Sequence, residues 1–308
     1  MKIGCAAWCF THPHYAPPYE DAIKTIGRLG LQGLELIAFT IEDLQTYYTK
    51  ARVKELRKLY SGYGLMLSEF VLYSYLVEGL LGKDPIVKTK AMDVFKKGLE
   101  ISQDLGATII NMVSNWPPEL KAPIAYPPTY IHPNVNGVQL FDPKLRMDLP
   151  ANFNAPEVWN TYIDSLARMV ELASAAGMRL ALEGHAQVIV GTTDAFLRAA
   201  DRIPSPSFGT NLDVAWQFLQ REYVPWSIYK LRERILHVHV RDGDGLFCYN
   251  LPPGNGVIDW NGVVRALKEV GYDGFLSFEL SGYLEPERYV KQGKEYLERV
   301  LQEEGAAT

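Results

Sequence analysis

Short apolar runs alternate with longer helical patterns along almost all of the 308 residues, and this alternation constrains the fold more than any other feature. Eight runs have the length and apolar content of buried strands. They are "KIGCAAW", "GLELIAF", "LMLSEFVL", "TIINMVS", "RLALEG", "SFGTNLD", "ILHVHVRD" and "GFLSFEL". Strands that alternate with helices over this length predict an α/β protein, a single (β/α)8 TIM barrel, rather than a doubly wound sheet with a second domain.

The helical patterns carry start and stop signals. One begins at Asp84-Pro85, a favourable opening, and stops at Gly106, while another stops at Gly177. The predicted helices are "YEDAIKTIGRLG", "DPIVKTKAMDVFKKGLEISQDLG", "APEVWNTYIDSLARMVELASAAG", "TTDAFLRAADRI", "NGVVRALKEVG" and "PERYVKQGKEYLERVLQEE".

No linker or low-complexity tract divides the chain, so we expect one domain over residues 1–308. The irregular stretch is 114–154, which is rich in Pro, Asn and aromatic residues and follows the fourth predicted strand. Because it leaves the catalytic end of a barrel strand, we expect this loop to cover the rim or to reach a neighbouring subunit or a second copy of the chain. A loop packed on its own barrel is the alternative. Its aromatic residues include Trp116, Tyr126, Tyr130 and Phe141.

Composition excludes several classes of partner. The net charge is −5 and no basic run occurs, which argues against nucleic acid and against an anionic membrane surface. No apolar run approaches the roughly 20 residues of a membrane span, and the first residues lack the pattern of a signal peptide. The cysteines Cys5, Cys9 and Cys248 show no CxxC spacing. We therefore expect a cytoplasmic protein that acts on a small molecule.

The seventh predicted strand carries polar side chains where a buried strand normally carries Val or Leu. His237, His239 and Arg241 alternate along one face of "ILHVHVRDGDG". In a barrel, alternate side chains point inward, and active sites lie at the C-terminal strand ends. The same alternation makes one residue the last inward position on each of the fifth to eighth strands. These residues are Glu183, Asp213, His239 and Glu279.

Three carboxylates at one rim require a proton or a cation to neutralise them. The added imidazole favours a divalent metal, and a mostly oxygen donor set suits Mn²⁺, Mg²⁺ or Co²⁺ better than a structural zinc site. We expect one ion, with Mn²⁺ as the first choice and Mg²⁺, Co²⁺ or Zn²⁺ as alternatives. For any single carboxylate the alternative is a structural ion pair, and for the deeper His237 we expect a core histidine that is hydrogen-bonded to a neighbour.

Several motifs together resemble the xylose isomerase-like TIM-barrel superfamily, the sugar phosphate isomerase/epimerase family. They are "LALEGH", "NLDVAW", "HVHVRD", "PPGNGVIDW" and "GYDGFLSFEL". The resemblance implies that Glu183, Asp213, His239 and Glu279 bind one metal, as in the ketose epimerases of that superfamily. It also implies that the glycines of "PGNG", residues 253–256, permit a tight turn beside the substrate.

One departure from the ketose epimerases concerns the substrate. Those enzymes usually carry a histidine three residues after the strand-six aspartate, whereas this chain has Trp216 there. An indole offers one hydrogen bond and a large apolar face, which suits a stacked sugar ring or an aromatic aglycone better than a small ketose. A plain core residue is the alternative. The type IV endonucleases of the superfamily fit less well, because no Asp-x-His step follows "HVRDGDG" and no basic DNA surface is evident.

The predicted activity is a metal-dependent isomerisation or epimerisation of a sugar or sugar derivative. A metal that binds a carbonyl and its neighbouring hydroxyl stabilises an enediolate, and Glu183 and Glu279 are the expected bases on opposite faces of the carbon. His185, Trp216 and Arg241 are candidate substrate contacts, as is Asp242. A lyase on a keto-sugar or keto-glycoside, similar to inosose dehydratase or C-glycoside deglycosidase, shares the first step. A barrel that only binds sugar is a further alternative.

Overall fold

A computed structural model describes residues 1–12, 14–117, 149–245 and 250–306. Eight parallel strands form a closed barrel in the order in which they occur along the chain, and β1 pairs with β8 to close it. The strands are β1 Lys2–Ala6, β2 Gly33–Ala38, β3 Met66–Leu72, β4 Ile109–Val113, β5 Arg179–Glu183, β6 Phe208–Asp213, β7 Ile235–Val240 and β8 Phe275–Phe278. The predicted (β/α)8 fold and all eight predicted strands are confirmed.

Helices surround the barrel. Those of the described ranges are α1 Glu20–Arg28, α2 Lys50–Gly62, α3 Pro85–Leu105, α4 Ala155–Ala175, α5 Thr193–Arg202, α6 Val214–Leu219, α7 Val224–Leu231, α8 Trp260–Glu269 and α9 Pro286–Glu303. The prediction did not include α2, α6 or α7. Shorter helical turns are Ala7–Phe10, Asp43–Tyr47, Ser74–Leu81 and Arg232–Arg234.

The two ends of α3 have the capping contacts that the sequence predicted. The Asp84 side chain accepts a hydrogen bond from the Ile86 amide at 2.8 Å, and Pro85 occupies the first turn, where its missing N–H costs nothing. Gly106 follows the last turn with φ +85°, a conformation that L-residues with a Cβ rarely adopt. The helix therefore begins and ends where its caps predict.

One side-chain direction differs from the prediction. Strict alternation with the inward-facing His237 would turn Leu236 toward the helical layer, but Leu236 packs with Ile109 and Ala181 inside the barrel, against Gly209. The β6–β7 register shifts by one residue after Thr210, so the alternation restarts at Leu236. The two histidines beyond the shift keep their predicted inward direction.

Apolar side chains on the outer face of the strands pack against the helices to form the main core. The inner face is polar above the small apolar layer that contains Leu236. Within the described part of the chain, no helix has the length and apolar character needed to cross a membrane. Trp116 belongs to the described residues, whereas Tyr126, Tyr130, Phe141 and Cys248 lie outside them.

Candidate metal centre and active site

The four predicted metal ligands come together at the C-terminal end of the barrel. Each of Glu183, Asp213, His239 and Glu279 offers a ligand atom, and these atoms lie within 4.8 Å of one another. All four side chains are buried. They lie at the ends of β5 to β8 because the inward alternation of each strand ends on a titratable residue.

His239 directs one ring nitrogen toward the three carboxylates. Its Nδ1 lies 3.3 Å from Glu183 Oε1, 3.4 Å from Glu279 Oε2 and 3.9 Å from Asp213 Oδ2. The other nitrogen, Nε2, lies 2.9 Å from Glu35 Oε2, deeper in the barrel. The imidazole thus separates the rim carboxylates from an acidic group below them.

Arg241 supplies a positive charge to the same cluster. Its Nη2 atom lies 2.9 Å from Glu279 Oε2 and also contacts Asp213 Oδ2. Arg241 was predicted as a substrate contact, and the structure places its guanidinium among the predicted metal ligands.

The carboxylates at the rim differ in their proton affinity. Burial raises the pKa of Glu183, but the His239 charge and hydrogen bonds from His185 and His239 outweigh burial, and the net pKa lies well below its usual value. For Glu279, burial is likewise outweighed by Arg241 and His239, so its pKa is lowered. Burial dominates at Asp213 and raises its pKa despite the neighbouring Arg241. The pKa shifts of Glu183 and Glu279 thus favour the charged form that a metal ligand or a general base requires, whereas burial opposes that form at Asp213.

The donor set fits a divalent ion. Three buried carboxylates and one imidazole nitrogen converge from four strands, and mostly oxygen donors with one nitrogen match the preference of Mn²⁺, Mg²⁺ or Co²⁺. A cation would offset the repulsion among carboxylates that are close together and poorly solvated. The residues could thus hold one ion at the rim.

A second buried acidic group lies beneath the rim, and the sequence prediction missed it. Glu35 on β2 and Glu69 on β3 lie beside His237 and His239, and these four residues also have the composition of a metal site. Burial raises the pKa of Glu69 to about 8 and lowers the pKa of His237 to about 4. The signal was present, since both acids interrupt apolar strands, in "GLELIA" and "MLSEFVL".

Asn111 connects the carboxylates at the rim with the deeper acidic group. Its Nδ2 group donates to Glu69 Oε1 at 2.9 Å and to Glu183 Oε2 at 3.0 Å. His185 contacts the other oxygen of Glu183, with Nε2 3.0 Å from Oε1. The Glu183 carboxylate is therefore oriented from two sides.

His185 and Trp216 form a stacked pair. Their ring centroids are 4.6 Å apart, with 28° between the planes. Trp216 is only 3% exposed, which agrees with the alternative of a core residue that supports His185. The Asp213 side chain accepts a hydrogen bond from the Trp216 amide at 2.8 Å, so the predicted ligand also caps α6. A substrate contact by Trp216 stays a prediction.

Aromatic rings follow one another around the rim. In the loops after β1 to β4, Tyr15 stacks on Phe39 at 4.9 Å, and Phe39 contacts Tyr73 at 4.4 Å. Tyr75 stacks on Trp116 at 5.4 Å. Trp8 reaches the metal-ligand cluster itself, because its Nε1 donates to Glu279 Oε1 at 3.2 Å. The rim thus combines a charged centre with an apolar aromatic lining.

Asp242 organises the loop that follows β7. Its buried carboxylate accepts hydrogen bonds from the Gly254 amide at 2.8 Å and from Trp260 Nε1 at 2.9 Å. A Cβ at Gly256 would lie 2.2 Å from Asp242 Oδ1, so this close approach requires glycine. Asp242 thus holds "PGNG" in place, and a substrate contact by Asp242 stays a prediction.

Comparison with known proteins identifies the family. A family model described as a xylose isomerase-like TIM barrel matches residues 23–300. The chain belongs to this family. The resemblance inferred from the five motifs is confirmed.

Several proteins of similar sequence or structure are named epimerases. Fructoselysine 3-epimerase of Escherichia coli O157:H7 is 23% identical over 314 residues, which cover 99% of this chain and 100% of that protein. The structure of D-psicose 3-epimerase with D-tagatose from Clostridium cellulolyticum H10 has a TM-score of 0.76 at 18% identity and covers 98% of this chain and 99% of that chain. The structure of 3-keto-D-glucoside 4-epimerase, YcjR, from E. coli has a TM-score of 0.71 at 14% identity and covers 97% of this chain and 99% of that chain. The predicted enzyme class, isomerase or epimerase, is confirmed at that level.

Proposed function

We propose that the chain is a divalent-metal-dependent epimerase of a keto-sugar that carries a substituent. The observation that carries this proposal is the convergence of Glu183, Asp213, His239 and Glu279 within 4.8 Å of one another in a family whose relatives are named epimerases. These four residues would hold the ion, with Mn²⁺ as the first choice. When bound there, the ion supplies Lewis-acid polarisation of a substrate carbonyl, which acidifies the neighbouring C–H bond.

Glu183 and Glu279 are the proposed bases. They approach from β5 and β8, on either side of His239, and each is oriented by neighbours: Asn111 and His185 hold Glu183, while Trp8 and Arg241 hold Glu279. One glutamate removes the proton from the carbon next to the carbonyl, and the other returns a proton to the opposite face. The lowered pKa of each carboxyl keeps it ionised, so either glutamate can accept the proton at neutral pH. The glutamate that returns a proton first takes that proton up from solvent.

The aromatic lining supports a substituted sugar as the substrate. Ring faces pack well on the apolar C–H faces of sugars and on apolar substituents. Fructoselysine and a 3-keto-D-glucoside, which appear in the names of two similar proteins, are both keto-sugars with an attached group. A lyase would share the first proton abstraction; epimerisation is favoured because the full-length relatives are named epimerases.

Solvent exchange tests the proposal. With Mn²⁺ and a substituted keto-sugar in D₂O, we expect deuterium at the carbon next to the carbonyl in the product and in recovered substrate. Glu183→Gln and Glu279→Gln should each lose about 10²–10⁴-fold in turnover, and one variant should retain exchange without forming product. Metal content is measured in each variant, and the surface variant Glu298→Gln is the control. Turnover within a few-fold of wild type in both metal-loaded variants would rule out these bases.

We also propose that the segment 114–154 contributes to the rim or to a neighbouring subunit. Replacing residues 127–141 with a short Gly-Ser linker should raise KM or abolish turnover while the metal remains bound. Unchanged kinetics and an unchanged oligomeric state would contradict both roles.

A further inference from the structure

We propose that Glu35 is a positioning residue for the metal ligand His239. Its carboxylate holds the Nε2 edge of the ring, which leaves Nδ1 directed at the three rim carboxylates. This inference rests on the metal centre of the proposed function and assigns to that centre a residue on β2, outside the four strands that carry the candidate ligands.

The geometry supports a directional contact. Glu35 Oε2 lies 2.9 Å from His239 Nε2, a normal hydrogen-bond length, and both side chains are buried. The two ring nitrogens lie on different edges of the imidazole, so a hydrogen bond at Nε2 fixes which nitrogen faces the rim. The Asn211 amide nitrogen lies 3.1 Å from both ring nitrogens and therefore selects neither.

Glu35 and Glu69 differ in their contact with His239, although both belong to the deeper acidic group. Glu69 Oε1 is 3.5 Å from His239 Nε2, at the limit of a hydrogen bond, and it accepts a shorter bond from Asn111 at 2.9 Å. The other oxygen of Glu35 lies 3.6 Å from His237 Nε2 and has no hydrogen-bond partner among the described residues. The close contact of Glu35 is thus made with His239.

The inward alternation of side chains explains why a residue on β2 can contact a residue on β7. β2 and β7 are separated around the barrel by β1 and β8, and inward side chains from both strands meet in the barrel interior. A carboxylate that receives the N–H of a metal-binding histidine fixes the ring and makes the other nitrogen a better donor. Removing such a partner typically lowers metal affinity by about 10–100-fold.

Metal affinity, measured without any substrate, tests the inference. The Kd for Mn²⁺ is obtained by electron paramagnetic resonance of the free ion for wild type, Glu35→Gln, Glu35→Leu and the matched control Glu69→Gln. We expect Kd to rise about tenfold or more in Glu35→Leu, with a smaller rise in Glu35→Gln, which keeps an acceptor oxygen. Glu69→Gln should change Kd by less than about threefold.

A spectroscopic measurement separates positioning from a general loss of structure. In ¹⁵N-histidine-labelled, Zn²⁺-loaded protein, wild type and Glu69→Gln should show a downfield, hydrogen-bonded Nε2 proton for His239. This proton should shift upfield or exchange away in the Glu35 variants, while circular dichroism is unchanged. The same resonance in the Glu35 variants, or equal affinity losses at Glu35 and Glu69, would overturn the inference.

Metal stoichiometry distinguishes the remaining outcomes. Two ions per wild-type chain, one of them lost in Glu35→Leu, would make Glu35 a ligand and would overturn positioning. A wild-type chain that binds no ion would overturn the metal centre together with this inference. One ion in every variant, with unchanged Kd, would overturn only the role of Glu35.

Discussion

The Nη2 atom of Arg241 lies 2.9 Å from Oε2 of Glu279, and the same nitrogen contacts Asp213. A fixed positive charge therefore lies among the groups that would bind a divalent cation. In the metal-free protein, the guanidinium stabilises the neighbouring carboxylates. When a metal cation binds to these carboxylates, the guanidinium repels that cation.

Replacing Arg241 with Met should have opposite effects on these two states. We expect a lower melting temperature for the chelator-treated protein, because the carboxylates lose their partner, and a lower Kd for Mn²⁺, because a like charge has been removed. Differential scanning fluorimetry and calorimetric titration measure the two quantities. Arg288→Met, at an exposed ion pair, is the control. A higher Kd in Arg241→Met would contradict the repulsion.

Asp213→Asn should reduce metal binding without breaking α6. Asparagine can still cap the helix by accepting the Trp216 amide, so the loss of charge is separated from the loss of the cap. We expect less Mn²⁺ per chain by elemental analysis and a smaller rise in melting temperature when Mn²⁺ is added, since bound ligand stabilises the folded state. Asp259→Asn, at the cap of α8, is the matched control and should bind Mn²⁺ like wild type. An undiminished metal-induced rise in Asp213→Asn would remove Asp213 from the ligand set.

Glu69 should make the chelated protein less stable as pH rises. Burial raises its pKa in the folded state to about 8 from the ordinary value of 4.5, so the folded protein keeps a proton that the unfolded chain has released. The free energy of unfolding should therefore fall as pH rises through this window. In Glu69→Gln the fall should be smaller, as measured by urea unfolding at about pH 5 and about pH 8.5 in the presence of chelator. Parallel pH profiles for the variant and wild type would contradict this assignment.

Tyr75 should contribute to the binding of the substituent rather than to proton transfer. Its ring is 50% exposed and stacks on Trp116. Tyr75→Ala should raise KM for a keto-sugar with an aromatic or alkyl substituent by about fivefold or more, and should change KM for the free ketose much less. The turnover number should stay near that of wild type for both. Tyr229→Ala, on an outer helix, is the control; equal effects on the two substrates would contradict a substituent site.

Strand alternation predicted where the candidate ligand side chains lie, and the reason is physical. A strand that is inward-facing at one residue is inward-facing again two residues later, so Glu183 and Glu279 could be placed without knowing any contact. The short strand that ends at Asp213 was equally regular. The alternation failed at Leu236, because the register shift between β6 and β7 adds one residue that the sequence does not mark with glycine or proline.

The features that the sequence did not predict depend mainly on contacts between residues that are distant in the sequence. Glu35 and His239 are separated by 204 positions, and nothing local in "GLELIA" indicates which imidazole its carboxylate meets. The helix at Lys50–Gly62 has many exposed charged residues, so its apolar periodicity is weak. The stack of His185 on Trp216 likewise arises only when the loop after β5 meets α6.

The two halves of the barrel contribute different parts of the candidate active site. The four candidate ligands come from β5 to β8, whereas most of the aromatic rim comes from the loops after β1 to β4. Recombination of half-barrels between relatives could therefore exchange the recognition surface while retaining the chemical centre. Glu35 and Trp8 restrict such recombination, because each lies in the first half of the barrel and contacts a candidate ligand in the second half. A chimera that keeps these two residues should inherit its reaction from one parent and its choice of substrate from the other.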